Sequence, residues 1–208
     1  MFKSAKTKIR AGMPPGEAIR PKSSIINASV RLFGQQGYTG TSMRDIAKAV
    51  GVLPGSLYAH IDSKETLLLE IVDEGITRFL AAVEPIVDLP LGADDRLRRA
   101  IRAHVEEVAE NPERSLVVFH QWRFLGEPNL AAAIVKRRRY ESAFVKIFES
   151  GVAEDLFEKT LNKRVAVLTI LGALNWTPEW YSADGLATAS ELGDMMADSL
   201  LSGLSVRR

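Results

Sequence analysis

TSMRDIAKAVGVLPGSLYAHIDSK, residues 41–64, is the stretch around which the rest of the chain falls into place. It reads as a short helix, a tight turn, a second short helix and a cap that opens a third. Ser42 is placed to cap the first helix, and Asp45 three residues on complements the helix dipole. Ile46, Ala47 and Val50 give that helix one apolar face. Gly51 falls where the helix must end in a left-handed turn. Val52 plugs the core beneath the turn, and Pro54 suits the first turn of the next helix, where its missing N–H is not needed. There Leu57 and Ile61 share one face, which leaves Gly55, Ser56, Tyr58 and His60 to point elsewhere. A helix with a slim leading end and polar outward groups has the shape that enters a DNA major groove. Without that partner, the same pattern is a helical hairpin whose polar face meets only water.

Moving outward, 208 residues with 46% apolar and 25% charged content describe a soluble chain of one or two compact domains. The absence of cysteine excludes a disulfide framework and a zinc-thiolate site, in keeping with a reducing cytoplasm. No apolar run approaches membrane-spanning length, so no membrane partner is expected. The amino end, MFKSAKTKIRAGMPPGE, is basic but lacks the apolar core of a signal peptide. The net charge of +1 conceals an asymmetry. Residues 1–64 hold ten Lys and Arg against Glu17, Asp45 and Asp62, a formal +7, whereas the other 144 residues hold 17 basic and 23 acidic groups, a formal −6. A basic front suits a polyanion.

Residues 1–22 carry Lys3, Lys6, Lys8, Arg10, Arg20 and Lys22 among prolines and glycines, with no helical period. Two readings stand: an arm that reaches DNA phosphates or a minor groove, or a terminus kept soluble by its lysines. Residues 23–37 form a first helix ended by Gly37, and a helix from Ser63 to about Glu84 is ended by Pro85. Further helices are expected over 93–110, 113–125, 129–153, 158–176 and 186–204. No segment alternates with the period of a half-buried strand, so the fold class is all-α. A helix-turn-helix domain over 23–70 precedes a helical effector-binding and dimerisation domain over 71–208. The last two helices are apolar, and Gly172, Ala173 and Gly193 allow close backbone approach. Such a pair either forms core or pairs with its copy in a homodimer.

Ile25 to Ile71 resembles the DNA-binding domain of the TetR family of one-component transcriptional regulators, on ASVRLFGQQGYTGTSMRDIAKAVGV (28–52) and GSLYAHIDSKETLL (55–68). The resemblance implies a dimer binding a palindromic double-stranded DNA operator. It also implies that an effector in the carboxyl domain lowers operator affinity by way of the helix from Ser63. Resemblance and shape together assign DNA contacts to Thr41, Ser42, Arg44, Pro54, Gly55, Ser56, Tyr58, His60 and Lys64. Thr41, Ser42 and Arg44 open a helix whose N–H groups and cation suit a phosphate, and Lys64 starts the following one. Tyr58 as a packing residue and His60 as a satisfied histidine are the alternatives.

The second half carries Lys136-Arg137-Arg138-Arg139 within one helix. At about 100° per residue the four fan around the helix, so they cannot share one solvated face. Glu141 is spaced to pair with Arg137 or Arg138. Arg123 adds a cation in an apolar setting, and the aromatic residues concentrate here, as core or as a pocket. QWRFL (121–125) and LGALNWTPEWYSADG (171–185) resemble a TetR subgroup that responds to acyl-CoA thioesters. That likeness assigns the effector to Arg123, Arg137, Arg138, Tyr140, Phe144, Asn175, Trp176 and Trp180. A sensor of cationic drugs is the nearest competitor. A helical ligand carrier without DNA binding and an enzyme acting on an acyl thioester lie further off. No phosphate-cradling loop, serine elbow or cysteine nucleophile is present, so neither catalysis nor a cofactor is expected. His104 and His120 could ligate a metal or simply pack, and no metal site is assigned.

Overall fold

The computed structural model describes residues 22–185 and 187–206, and among them the architecture is all-helical. Of the expected basic arm, residues 1–21 lie outside the described residues, and Lys22 begins α1, where its ammonium pairs with Glu70 at 2.5 Å. In chain order the helices are α1 (Lys22–Gly40), α2 (Met43–Val50), α3 (Pro54–Tyr58), α4 (Lys64–Val87) and α5 (Ala93–Glu110). Then come α6 (Pro112–His120), a 3-10 turn (Trp122–Phe124), α7 (Asn129–Ala153), α8 (Lys163–Asn175), α9 (Thr177–Trp180) and α10 (Ala189–Ser202).

Local chemistry explains the amino-terminal trio. Ser42 caps α2 in a box with Asp45, each side chain meeting the other's backbone N–H. Gly51 ends α2 in the left-handed region at φ 79°, and the Gly51 and Val52 N–H groups close onto the Ala47 carbonyl. Pro54 occupies the first turn of α3. Ile25, Phe33, Ile46, Leu57, Ile61 and Leu67 are buried together beneath these elements. Each such side chain contributes roughly 1.5–3 kcal/mol of transfer free energy.

The sequence pattern misplaced several boundaries, for physical reasons. Gly37 breaks the helical conformation at φ 76°, ψ 161°, yet helical turns resume and carry α1 to Gly40. Pro85 does not end α4, which continues to Val87. Pro85 is exposed and one turn from the end, so the lost hydrogen bond is small beside the burial of Val83 and Val87. The segment expected as one helix over 113–125 splits at Gln121, with its latter part in a tighter 3-10 turn. α8 starts only at Lys163, where Asn162 supplies the cap, and α10 starts after Thr188 with Glu191 completing a capping box.

α4 supplies buried residues to both halves: Leu67, Leu68 and Ile71 in the head, then Ile76, Phe79, Leu80 and Val83 in the remainder. Ion pairs fasten it to its neighbours: Arg78 to Glu107 of α5 at 2.6 Å, Lys136 to Asp73 at 2.5 Å and Arg139 to Glu84 at 2.5 Å. α10 lies along α5, with Arg98 on Asp198 at 2.6 Å and Arg102 on Asp194. The close approach at Gly193 is to α5 of the same chain, since a Cβ there would stand 2.8 Å from the Cα of Arg102. Gly172 has open space beside it. Among the described residues no helix is long and apolar enough to cross a membrane.

Candidate functional sites

In the head, Arg44, Pro54, Gly55, Tyr58 and His60 are exposed, with Tyr58 54% exposed, and Ser56 is half-buried. A Cβ on Gly55 would meet nothing within 4 Å, so the leading end of α3 is open. Three residues expected at DNA are engaged internally. Thr41 is 1% exposed, and its hydroxyl donates to the Gly37 carbonyl at 2.9 Å, closing the kink of α1. The Ser42 hydroxyl donates to Asp45 at 2.6 Å, and hydrogen bonds from Ser42 hold the Asp45 carboxyl below its ordinary pKa. The N–H groups of Ser42 and Asp45 are thus taken by the cap rather than left for a phosphate. Lys64 donates to the Tyr38 and Thr41 carbonyls, both at 2.8 Å, with its ammonium 4.2 Å from the Tyr38 ring centroid. Two of its three N–H donors are committed, and one remains. Sequence reasoning missed Leu53, 68% exposed immediately before α3. Its signal was an apolar residue in a turn whose core is already plugged by Val52.

Behind the head lies a cavity of about 350 Å³. Of the residues assigned to an effector from sequence, Arg137, Arg138, Tyr140 and Asn175 line it. Arg123 does not line it but stands with its guanidinium carbon 5.4 Å from the Trp122 ring, which does. Phe144 is fully buried behind the wall, edge-on to Tyr140 with centroids 5.5 Å apart. Trp176 and Trp180 point outward, and Trp176 stands against His120. The wall residues not foreseen are Ile76 and Phe79 of α4, Val118 and Phe119 of α6, Ile134 and Glu141 of α7, and Leu168, Leu171 and Gly172 of α8. Their stripes identify buried faces, but nothing in a stripe distinguishes a cavity wall from solid core.

The basic run divides its labour around α7. Lys136 and Arg139 grip α4, while Arg137 turns into the cavity with its guanidinium 4.6 Å from the Trp122 ring. Arg137 donates to the Val118 carbonyl at 3.3 Å. Among the described residues no carboxylate comes within 4 Å of Arg137, Arg138 or Arg123, and Glu141 is no exception. Burial, and then the neighbouring Arg123 charge, lower the Arg137 pKa against the smaller opposing pull of Glu141. At the rear, His104 is buried with Nδ1 2.7 Å from the Tyr140 hydroxyl. His104 Nε2 has no well-formed partner, although the Leu174 carbonyl lies on that side. Burial pushes the His104 pKa down to about 3 and the Tyr140 pKa up. His120 Nε2 is 3.2 Å from Glu179 but poorly aligned for a hydrogen bond. No group of three or more metal-ligating side chains occurs among the described residues.

A helix-turn-helix head joined by α4 to a helical domain with a ligand-sized cavity defines a one-component DNA-binding regulator. Residues 25–71 match the family model "Bacterial regulatory proteins, tetR family", and residues 90–204 match "Tetracyclin repressor-like, C-terminal domain". The chain belongs to the TetR family of transcriptional regulators. It is 23% identical over 192 residues to the HTH-type transcriptional repressor KstR2 of Mycobacterium tuberculosis, covering 91% of this chain and 96% of that protein. It is 25% identical over 192 residues to the fatty acid metabolism regulator protein of Bacillus subtilis, covering 89% of this chain and 96% of that one. Among solved structures, AibR in complex with isovaleryl coenzyme A and operator DNA superposes with a TM-score of 0.76 at 26% identity, covering 86% of this chain and 97% of that chain.

Proposed function

We propose that this regulator represses transcription as a homodimer on a palindromic operator and is released by an acyl-CoA or a related lipid-degradation intermediate. The observation that carries the effector assignment is Arg137, a half-buried cation on the cavity wall with no carboxylate within 4 Å among the described residues and a second cation beside it. A half-buried cation without an ion-pair partner is costly, and a cavity that holds one is complementary to an anion. The walls around it are apolar and aromatic, so the anion is amphipathic. At about 350 Å³ the cavity stands near the low end of ligand pockets, roughly 300–1,000 Å³. It takes an acyl group, with the nucleotide phosphates at its mouth against Arg137 and the exposed Arg123 and Arg138. The isovaleryl coenzyme A in the AibR complex and the naming of the Bacillus relative for fatty acid metabolism support the same class.

A thermal-shift screen tests this. Acyl-CoAs are expected to raise the Tm, whereas free fatty acids and cationic drugs leave it unchanged. Stabilisation by cationic drugs alone would favour the second reading, in which Glu141 on the cavity wall takes a cation.

For DNA, Tyr58, His60, Arg44 and the free donor of Lys64 serve phosphates and base edges, and Gly55 lets the backbone approach the bases. Leu53 is suited to a thymine methyl. Tyr58→Ala is expected to weaken operator binding by about fivefold to a hundredfold, roughly 1–3 kcal/mol, without altering dimerisation. An unchanged electrophoretic shift at matched salt would remove Tyr58 from the interface. The head extends to about residue 70, with effector binding and dimerisation beyond it. Dimerisation is assigned to α8 and α10, which expose Val165, Leu168 and Met195 and leave between them a groove lined by Leu161, Thr169 and Leu200. Such a regulator works in the cytoplasm.

A further inference from the structure

Gln121 to Gly126 touches both the cavity and the head. On the cavity side, Trp122 forms part of the wall, and its ring face carries the Arg137 guanidinium at 4.6 Å. Its indole N–H is buried without an acceptor. On the head side, the Gln121 side-chain oxygen accepts the Tyr38 N–H at 3.0 Å, just beyond the break that Gly37 makes in α1. Phe124 stacks on the Tyr38 ring, with centroids 5.7 Å apart and planes 22° from parallel. The Gly126 N–H and the Asn129 amide both donate to Glu65, at 3.0 and 3.1 Å. Tyr38 in turn packs edge-on to Phe33 in the head core and holds Lys64 through its carbonyl.

We infer that Trp122 senses cavity occupancy and that Gln121 and Phe124 pass its position to Tyr38, making this segment a strap between effector and DNA-reading head. The inference rests on the anionic-effector reading of the cavity. α4 also joins the two sites, but it is an unbroken helix of 24 residues clamped to α5 and α7. The strap is a three-residue 3-10 turn with a half-exposed Phe124, and it can shift without unfolding a helix. The two states differ in what Arg137 faces. In one its guanidinium lies on the Trp122 ring at 4.6 Å, and in the other a bound anion draws it away. Trp122 then loses the cation on its face and is free to re-seat its unpartnered N–H. A shift of Trp122 moves Gln121 and Phe124 on either side of it. Tyr38, three residues ahead of Thr41 at the entry to α2, moves with them, and a ligand that favours the moved arrangement depopulates the DNA-binding one.

Two measurements on the full chain test the strap. Without any ligand, Trp122→Ala is expected to speed amide exchange of residues 36–42 by about tenfold while leaving residues 189–202 at the wild-type rate. Unchanged exchange at 36–42 overturns the inference, and Trp122→Leu is read in the same way should the alanine variant not fold. The second measurement uses decanoyl-CoA and an operator duplex selected from a random library by the wild-type protein. Decanoyl-CoA is expected to lower wild-type operator affinity by about tenfold or more, within the usual range of allosteric coupling. Gln121→Ala/Phe124→Ala should bind decanoyl-CoA equally well by calorimetry, yet lose less than about threefold in operator affinity. Full release of that double variant overturns the inference. If decanoyl-CoA fails to bind the wild type, the effector assignment falls, and the ligand-free exchange experiment still decides the strap.

Discussion

Arg137→Met is expected to lower acyl-CoA affinity by about a hundredfold while leaving effector-free operator binding within about threefold. The first part follows from removing a cation that a bound anion would neutralise inside an apolar wall, a loss of about 2–5 kcal/mol when one member of such a pair is truncated. The second follows because the methionine side chain takes the guanidinium's place against the Trp122 ring and holds the indole where the cation held it. Methionine keeps the length of the side chain and packs against the indole. The ligand-free protein should lose no stability, and its Tm should hold or rise, since a half-buried cation without an ion-pair partner has been replaced by an apolar group. A residue retained for structure alone would behave in the opposite way. Calorimetry with decanoyl-CoA, a gel shift and a thermal melt on one preparation decide the matter. A drop in Tm of several degrees with unchanged decanoyl-CoA affinity would reassign Arg137 to the core.

Acid should weaken the fold in a pH range where carboxylates remain ionised, and His104→Gln should remove most of that sensitivity. His104 is fully buried between Phe79 and Phe119, and burial lowers its pKa from 6.5 to about 3. Between those values the unfolded chain binds a proton that the folded chain excludes. The stability is therefore whole above pH 6.5 and is lost as pH falls from 6.5 toward 3. At pH 5 the loss is about 2 kcal/mol, or roughly 4–8 °C in Tm for a chain of this size. The carboxyls of Asp194 and Glu154 are also lowered, by Arg102 beside the first and by Ser150 and the Ala93 N–H on the second. Their contributions fade only below the ordinary carboxyl range, so the decline between pH 6.5 and 5 is separable from them. Denaturant melts at pH 7.5 and 5.0 give the difference within each variant, which cancels the packing lost with the ring. If His104→Gln loses as much stability on acidification as the wild type, the site is not His104.

Residues 41–64 determined most of what the chain is. A capping residue, a left-handed glycine, a proline in a first turn and two apolar faces act over a few residues. They build the same helix-turn-helix wherever they sit. The all-helical class was equally legible, because the helical period of the apolar residues persists from α4 to α10. Four of the eight effector residues chosen from sequence line the cavity, and the reason is again local. Arg137 and Arg138 belong to a run that cannot share one solvated face, whereas Phe144, Trp176 and Trp180 were chosen from an aromatic cluster and a family likeness, neither of which says which way a ring points. Only the tertiary structure decided which cation turned inward. Lys136 and Arg139 found Asp73 and Glu84 on α4, some 55–63 residues away in sequence, and Arg137 found none. Thr41 and Lys64 were likewise turned toward backbone carbonyls rather than outward. Charge pairing and cavity walls depend on groups distant along the chain, and no short stretch of sequence contains both partners.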